Sequence, residues 1–134
     1  MAARIRHITV DSADAYSQAR FWSEVTGWPV DPDAAAGDAE CLVAPPRPET
    51  IEGLLFVQVP EGKVVKNRVH LDLSPTDRTR DEEVARLLGL GAAIAADHHT
   101  PAGAGWVVMT DPEGNEFCVE RSSVERSAAE RVGA

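Results

Sequence analysis

The chain has 134 residues, 43% of them hydrophobic, which is the length and apolar content of one compact domain. A formal net charge of -9, from 13 Lys and Arg against 22 Asp and Glu, argues against nucleic acid or an anionic membrane as partner, since both are bound by neutralising phosphate. No apolar run approaches a secretory signal or the roughly 20 residues of a membrane span, so a cytoplasmic protein is expected, with Cys41 and Cys118 as free thiols rather than a disulfide framework.

The first predicted element is a strand near Arg4–Val10, followed by a helix over Asp14–Thr26 with Asp14 as N-cap and Gly27 as its stop. Strands near Trp28–Asp31, Glu40–Ala44 and Gly53–Val59 come next, with a Pro/Ala-rich loop around Ala44–Pro48. "PEGKVVK", Pro60 to Lys66, reads as a linker. Beyond it the pattern predicts a strand near Asn67–Leu73, a helix over Asp77–Leu88, and strands near Ala92–Ala96, Gly105–Thr110 and Glu116–Glu120. Residues 122–134 read as a frayed helix or a disordered tail.

The two halves repeat one another. "RHITVDSAD", Arg6 to Asp14, lies on "VHLDLSPTD", Val69 to Asp77, with His7 on His70, Ile8 on Leu71, Val10 on Leu73 and Asp14 on Asp77; farther along, Phe21 meets Val84 and Val25 meets Leu88. An α+β fold of two βαβββ modules is therefore expected: one domain over residues 1–134, with module one at about 1–60, a linker at 60–66, module two at about 67–121 and a tail at 122–134.

Alternation divides each strand into two faces. Ile8 and Val10 oppose His7 and Thr9; Val69, Leu71 and Leu73 oppose Arg68, His70 and Asp72; Phe117 and Val119 oppose Glu116, Cys118 and Glu120; and Leu55, Val57 and Val59 oppose Leu54, Phe56 and Gln58. The second face of each strand lines either solvent or a cavity. His7 and His70 at equivalent repeat positions favour a cavity, lined also by Thr9, Phe56, Gln58, Arg68, Asp72 and Cys118. Trp106 and Met109 face opposite ways on their strand, so only one of them can touch a ligand. His98 and His99, in "DHHTPAGAG", are solvated loop histidines or a lid.

Three stretches carry a resemblance: "HITVDSADAYSQARFWSEVTGW" (His7 to Trp28), "NRVHLDL" (Asn67 to Leu73) and "DPEGNEF" (Asp111 to Phe117). Together they resemble the vicinal oxygen chelate superfamily of glyoxalase I, bleomycin-resistance proteins, fosfomycin-resistance transferases and extradiol dioxygenases, and are most similar to its glyoxalase-like branch. The resemblance implies two βαβββ modules curled as a pseudo-twofold sheet around a shared cavity, in a homodimer, with a small molecule as ligand. It also implies metal ligands on the first strand of each module and the last strand of the second, which correspond to His7, His70 and the position three residues beyond Asn115. That last position carries Cys118 in place of the family's glutamate, and the fourth strand offers Gln58 where glyoxalase I has a carboxylate.

Two readings follow. In one, His7, His70, Asp72 and Gln58 are hydrogen-bonding groups of a binding protein or enzyme without the usual metal site. In the other, His7 and His70 join the Cys118 thiolate, or Glu116 or Glu120, around a divalent zinc or iron ion, which needs about this ligand count and an open position for substrate. The missing carboxylates speak against glyoxalase I activity itself.

Overall fold

The computed structural model describes residues 1–47 and 50–133, with side chains up to Glu130; Pro48 of the expected loop and Ala134 of the expected tail lie outside the described residues. The chain is a mixed α+β protein with two small sheets and three helices, divided into two compact units, Met1–Lys63 and Val64–Ala134. Among the described residues no helix is long and apolar enough to cross a membrane.

The first unit contains β1 (His7–Ser12), α1 (Ala15–Thr26), β2 (Glu40–Val43) and β3 (Gly53–Gln58), with the sheet ordered β1-β3-β2. Helix α1 begins where the sequence puts it. The Asp14 carboxylate accepts the Ser17 N–H at 3.2 Å, and Gly27, at φ 73°, turns the chain out of the helix. Phe21 and Trp22, edge to face at 5.5 Å, are buried on the helix with Ala15, Gln18 and Ala19. The expected strand near Trp28–Asp31 is reduced to a single bridge, Val30 to Val43.

Register corrects one face. Phe56 lies opposite Val10 and Cys41, and Leu54 opposite Ile8 and Val43, so these side chains share the buried face beneath α1. Gln58 is on that side too, where its carboxamide oxygen accepts the Ala15 N–H at the start of α1. Phe56 and Gln58 therefore belong to the helix-covered side, and Leu55 and Val57 share the face of His7 and Thr9. The run "LLFV" is apolar on both sides, so its alternation has no readable phase; pairing with β1 supplies it.

The second unit contains β4 (Asp72–Leu73), α2 (Arg80–Leu90), β5 (Ala93–Asp97), β6 (Trp106–Thr110), β7 (Glu116–Glu120) and α3 (Ser123–Gly133), with the sheet ordered β4-β7-β6-β5. Val107, Met109, Phe117 and Val119 form its buried face, with Val84 and Leu87 of α2 buried as well. The strand expected over Asn67–Leu73 is only two residues long. Its pairing starts where Leu71 O accepts the Cys118 N–H, while the Asn67 N–H goes to the Glu116 carboxylate and Val69, at 78% exposure, has no core to enter.

Helix α2 starts later than the repeat predicts, at a capping box. The Thr79 hydroxyl accepts the Glu82 N–H and the Glu82 carboxylate accepts the Thr79 N–H, while Asp77 pairs instead with Arg78. Of the two readings of residues 122–134, the helix holds over Ser123–Gly133, opened by a second reciprocal pair between Ser122 and Glu125.

Candidate functional site

The site is built on β7, which is launched by the turn "DPEGN". The buried Asp111 carboxylate accepts the backbone N–H groups of Glu113 and Asn115, both at 2.9 Å, and the Asn115 side-chain amide, while Gly114 turns the chain at φ 88°. A carboxylate satisfied this completely fixes where β7 begins and which side chains point to each face.

Opposite the buried face, cross-strand partners assemble a polar one. Cys118 is paired with Asp72 on β4 and Val108 on β6, Glu120 with Trp106, and Glu116 with Thr110. His70 stands two residues before Asp72. One ligand atom each of His70, Asp72 and Cys118 lies within 4.8 Å of the others, with His70 and Asp72 exposed and Cys118 buried. Burial pushes the Cys118 thiol up from its ordinary pKa, and the charge of Asp72 and a hydrogen bond to it push the same way. Burial and the neighbouring Asp72 carboxylate thus both hold the sulfur toward its protonated form.

His70, Asp72 and Cys118 thus come together within the second unit. His7 stands half-buried on β1 of the first unit, sharing its face with exposed Thr9. Glu116 is committed to the Asn67 N–H, and Glu120 is half-buried beside Trp106. Arg68 is exposed and lines a surface recess of about 520 Å³ with Val65, Lys66 and Asn67.

A carboxylate does stand beside position 118, at Asp72, which the sequence offered as cavity lining and as a hydrogen-bonding group but not as a metal ligand. The spacing His70-x-Asp72, two residues apart on one strand face, was the available signal. An imidazole, a carboxylate and a thiol match the donor types that zinc accepts, and the spread of up to 4.8 Å brackets the roughly 3–4 Å separations of a tetrahedral shell.

A sequence model of the family described as "Glyoxalase-like domain" matches residues 7–120. No curated protein matches in sequence. Among solved structures, a glyoxalase/bleomycin resistance protein/dioxygenase family enzyme from Burkholderia phytofirmans PsJN superposes with a TM-score of 0.64 at 17% identity, covering 87% of this chain and 97% of its own. The fosfomycin resistance protein FosX from Mesorhizobium loti gives 0.67 at 16% identity, covering 96% and 100%. A possible glyoxalase from Bacillus cereus gives 0.61 at 18% identity, covering 89% and 99%. These likenesses are of fold, and with the match over residues 7–120 they lead to one conclusion: the chain belongs to the glyoxalase-like domain family.

Proposed function

We propose that the chain binds a small organic molecule against the polar face of its second sheet, with His70, Asp72 and Cys118 as the polar anchor. The observation that carries this is the convergence of those three groups within 4.8 Å on a face where His70 and Asp72 remain exposed. An imidazole, a carboxylate and a thiol held toward its protonated form make the trio a set of hydrogen-bond donors and acceptors able to orient a polar substituent. Kinship with structures named for glyoxalase and fosfomycin resistance supports a small molecule as the ligand class.

The same donor set favours a second reading, in which His70, Asp72 and a deprotonated Cys118 hold a zinc ion. Bound there, zinc would supply Lewis-acid polarisation of a ligand oxygen.

One set of measurements tests both. Ligand panels are scored by thermal shift on the wild type and on His70→Ala, Asp72→Asn and Cys118→Ser; a ligand at 100 times its Kd stabilises by about 2.7 kcal/mol. Loss of the shift in the His70 and Asp72 variants is expected; an undiminished shift in both sinks the proposed site. Added Co(II) reports on the second reading. A near-ultraviolet thiolate-to-cobalt band that vanishes in Cys118→Ser supports it, and no band in the wild type removes it.

A further inference from the structure

Beside the His70–Asp72–Cys118 cluster the same face carries an aromatic pair that none of the chemistry above uses. The His98 ring lies over the Trp106 ring, centroid to centroid at 5.0 Å with an interplanar angle of 31°. Trp106 keeps 44% of its surface exposed and His98 is exposed, so the pair presents an open apolar plane. The two rings are held in place. His98 N–H donates to Trp106 O at 2.9 Å, and between them Thr100 N–H donates to Ala104 O while Ala104 N–H returns to the Thr100 hydroxyl. Gly105, at φ 92°, closes the loop so tightly that a Cβ there would fall 2.2 Å from His98 O.

Directly across the ladder from Trp106 is Glu120. Cross-strand partners place their Cβ atoms about 4.5–5.5 Å apart, so the Glu120 side chain starts beside the indole, within reach of its rim. The Glu120 carboxylate makes no hydrogen bond or ion pair among the described residues, and its charge acts on the neighbouring Cys118 thiol. Two cations stand near this face: Lys66 acts on Cys118, and the Arg80 guanidinium, its side chain 6% exposed, is spent on Asp81 and on the carbonyls of Ala104 and Gly105. Near the loop, the His99 imidazole and the Asp97 carboxylate are hydrogen-bonded to one another. Cys118 is the diagonal neighbour of Trp106, about 7–8 Å away, so platform and anchor lie within one small molecule's reach.

An exposed indole stacked on an imidazole, bordered by an unpaired carboxylate, in a chain of net charge -9, has the chemistry to recognise a flat positively charged ring. We infer that the ligand of this face is a planar organic cation, stacked on Trp106 and His98 with its charge facing Glu120. This rests on the reading that the polar face of the second sheet holds the ligand, and it names that ligand's class.

Two planar tricyclic probes of similar size test it: proflavine, a cation at pH 7, and acridone, which is neutral. The measurement is Kd by fluorescence or calorimetry at low and high salt, on wild type, Trp106→Ala, Trp106→Phe, Glu120→Gln and His70→Ala. Proflavine is expected to bind the wild type about tenfold tighter than acridone, and less tightly at high salt. Trp106→Ala should weaken both probes about tenfold or more, with Trp106→Phe recovering part of the loss. Glu120→Gln should abolish the preference for proflavine and leave acridone unchanged.

Equal affinity for the two probes, no binding of proflavine, or proflavine binding indifferent to Trp106→Ala and Glu120→Gln overturns the inference. The anchor is judged separately: a thermal-shift ligand that depends on His70 but not on Trp106 leaves the anchor standing and removes the cation platform.

Discussion

A buried thiol beside a carboxylate is a slow nucleophile, and Cys118 is in that position. Its pKa is raised by burial first and by Asp72 second, so the neutral form is the one the fold favours. The stabilisation is present in full below the thiol's ordinary pKa and is lost as pH rises through the raised value of the folded state. Native protein at pH 8 should be alkylated at Cys118 by iodoacetamide more slowly than unfolded protein. Asp72→Asn should speed that alkylation about threefold to tenfold, as expected when a nearby negative charge is removed. Peptide mass spectrometry over a time course reads this, and an unchanged rate would show that Asp72 does not control the thiol. At this scale the sequence was informative about position 118, which the turn and the alternation single out. It was less so about Asp72, because alternation puts many polar residues on one face and only cross-strand register says which of them meet.

At the scale of elements, local signals and pairing signals fared differently. Asp14 and Gly27 bound α1 because a cap depends on residues a few positions apart, and "DPEGN" makes its turn for the same reason. The first half of the strand expected at Asn67–Leu73 failed because Val69 is alternating in sequence but finds no partner strand. Phe56 was put on the wrong face because a strand apolar on both sides takes its phase from its neighbour. The turn before β7 is also where an element is most exposed to a single change. Asp111→Ala removes a buried acceptor used by three donor groups and leaves part-buried N–H groups unpaired, so a loss of about 2 kcal/mol in urea unfolding is expected. A loss below about 0.5 kcal/mol, the range of ordinary surface changes, would mean the turn holds without it.

Over the whole molecule the repeat was legible, since two strand–helix units with matching apolar positions announce themselves in the sequence. The repeat misled in one respect, by suggesting that the second helix begins at Asp77 as the first does at Asp14. Besides the local Thr79–Glu82 capping box, a second support of that start lies far along the chain. Glu125 of α3 uses one carboxylate oxygen for two helix starts at once, accepting the Ser122 N–H at 2.7 Å and the Arg80 N–H at 2.9 Å. Burial works against its charge, but these donors outweigh it and hold its pKa below the usual carboxylate range.

The family match ends at Glu120, so the boundary that a domain trimmed by homology would adopt falls just short of this shared carboxylate. A chain ending at Glu120 would retain every strand of the fold while opening the first turn of a helix forty residues upstream. Hydrogen exchange should show the amides of Arg80 to Glu83 losing protection in that shortened protein and in full-length Glu125→Gln alike, with β7 unaffected in the substitution. Unchanged protection would show that the Thr79–Glu82 capping box starts α2 without help from Glu125. The stretch that looks most dispensable in this protein is thus a strut for one of its two central helices.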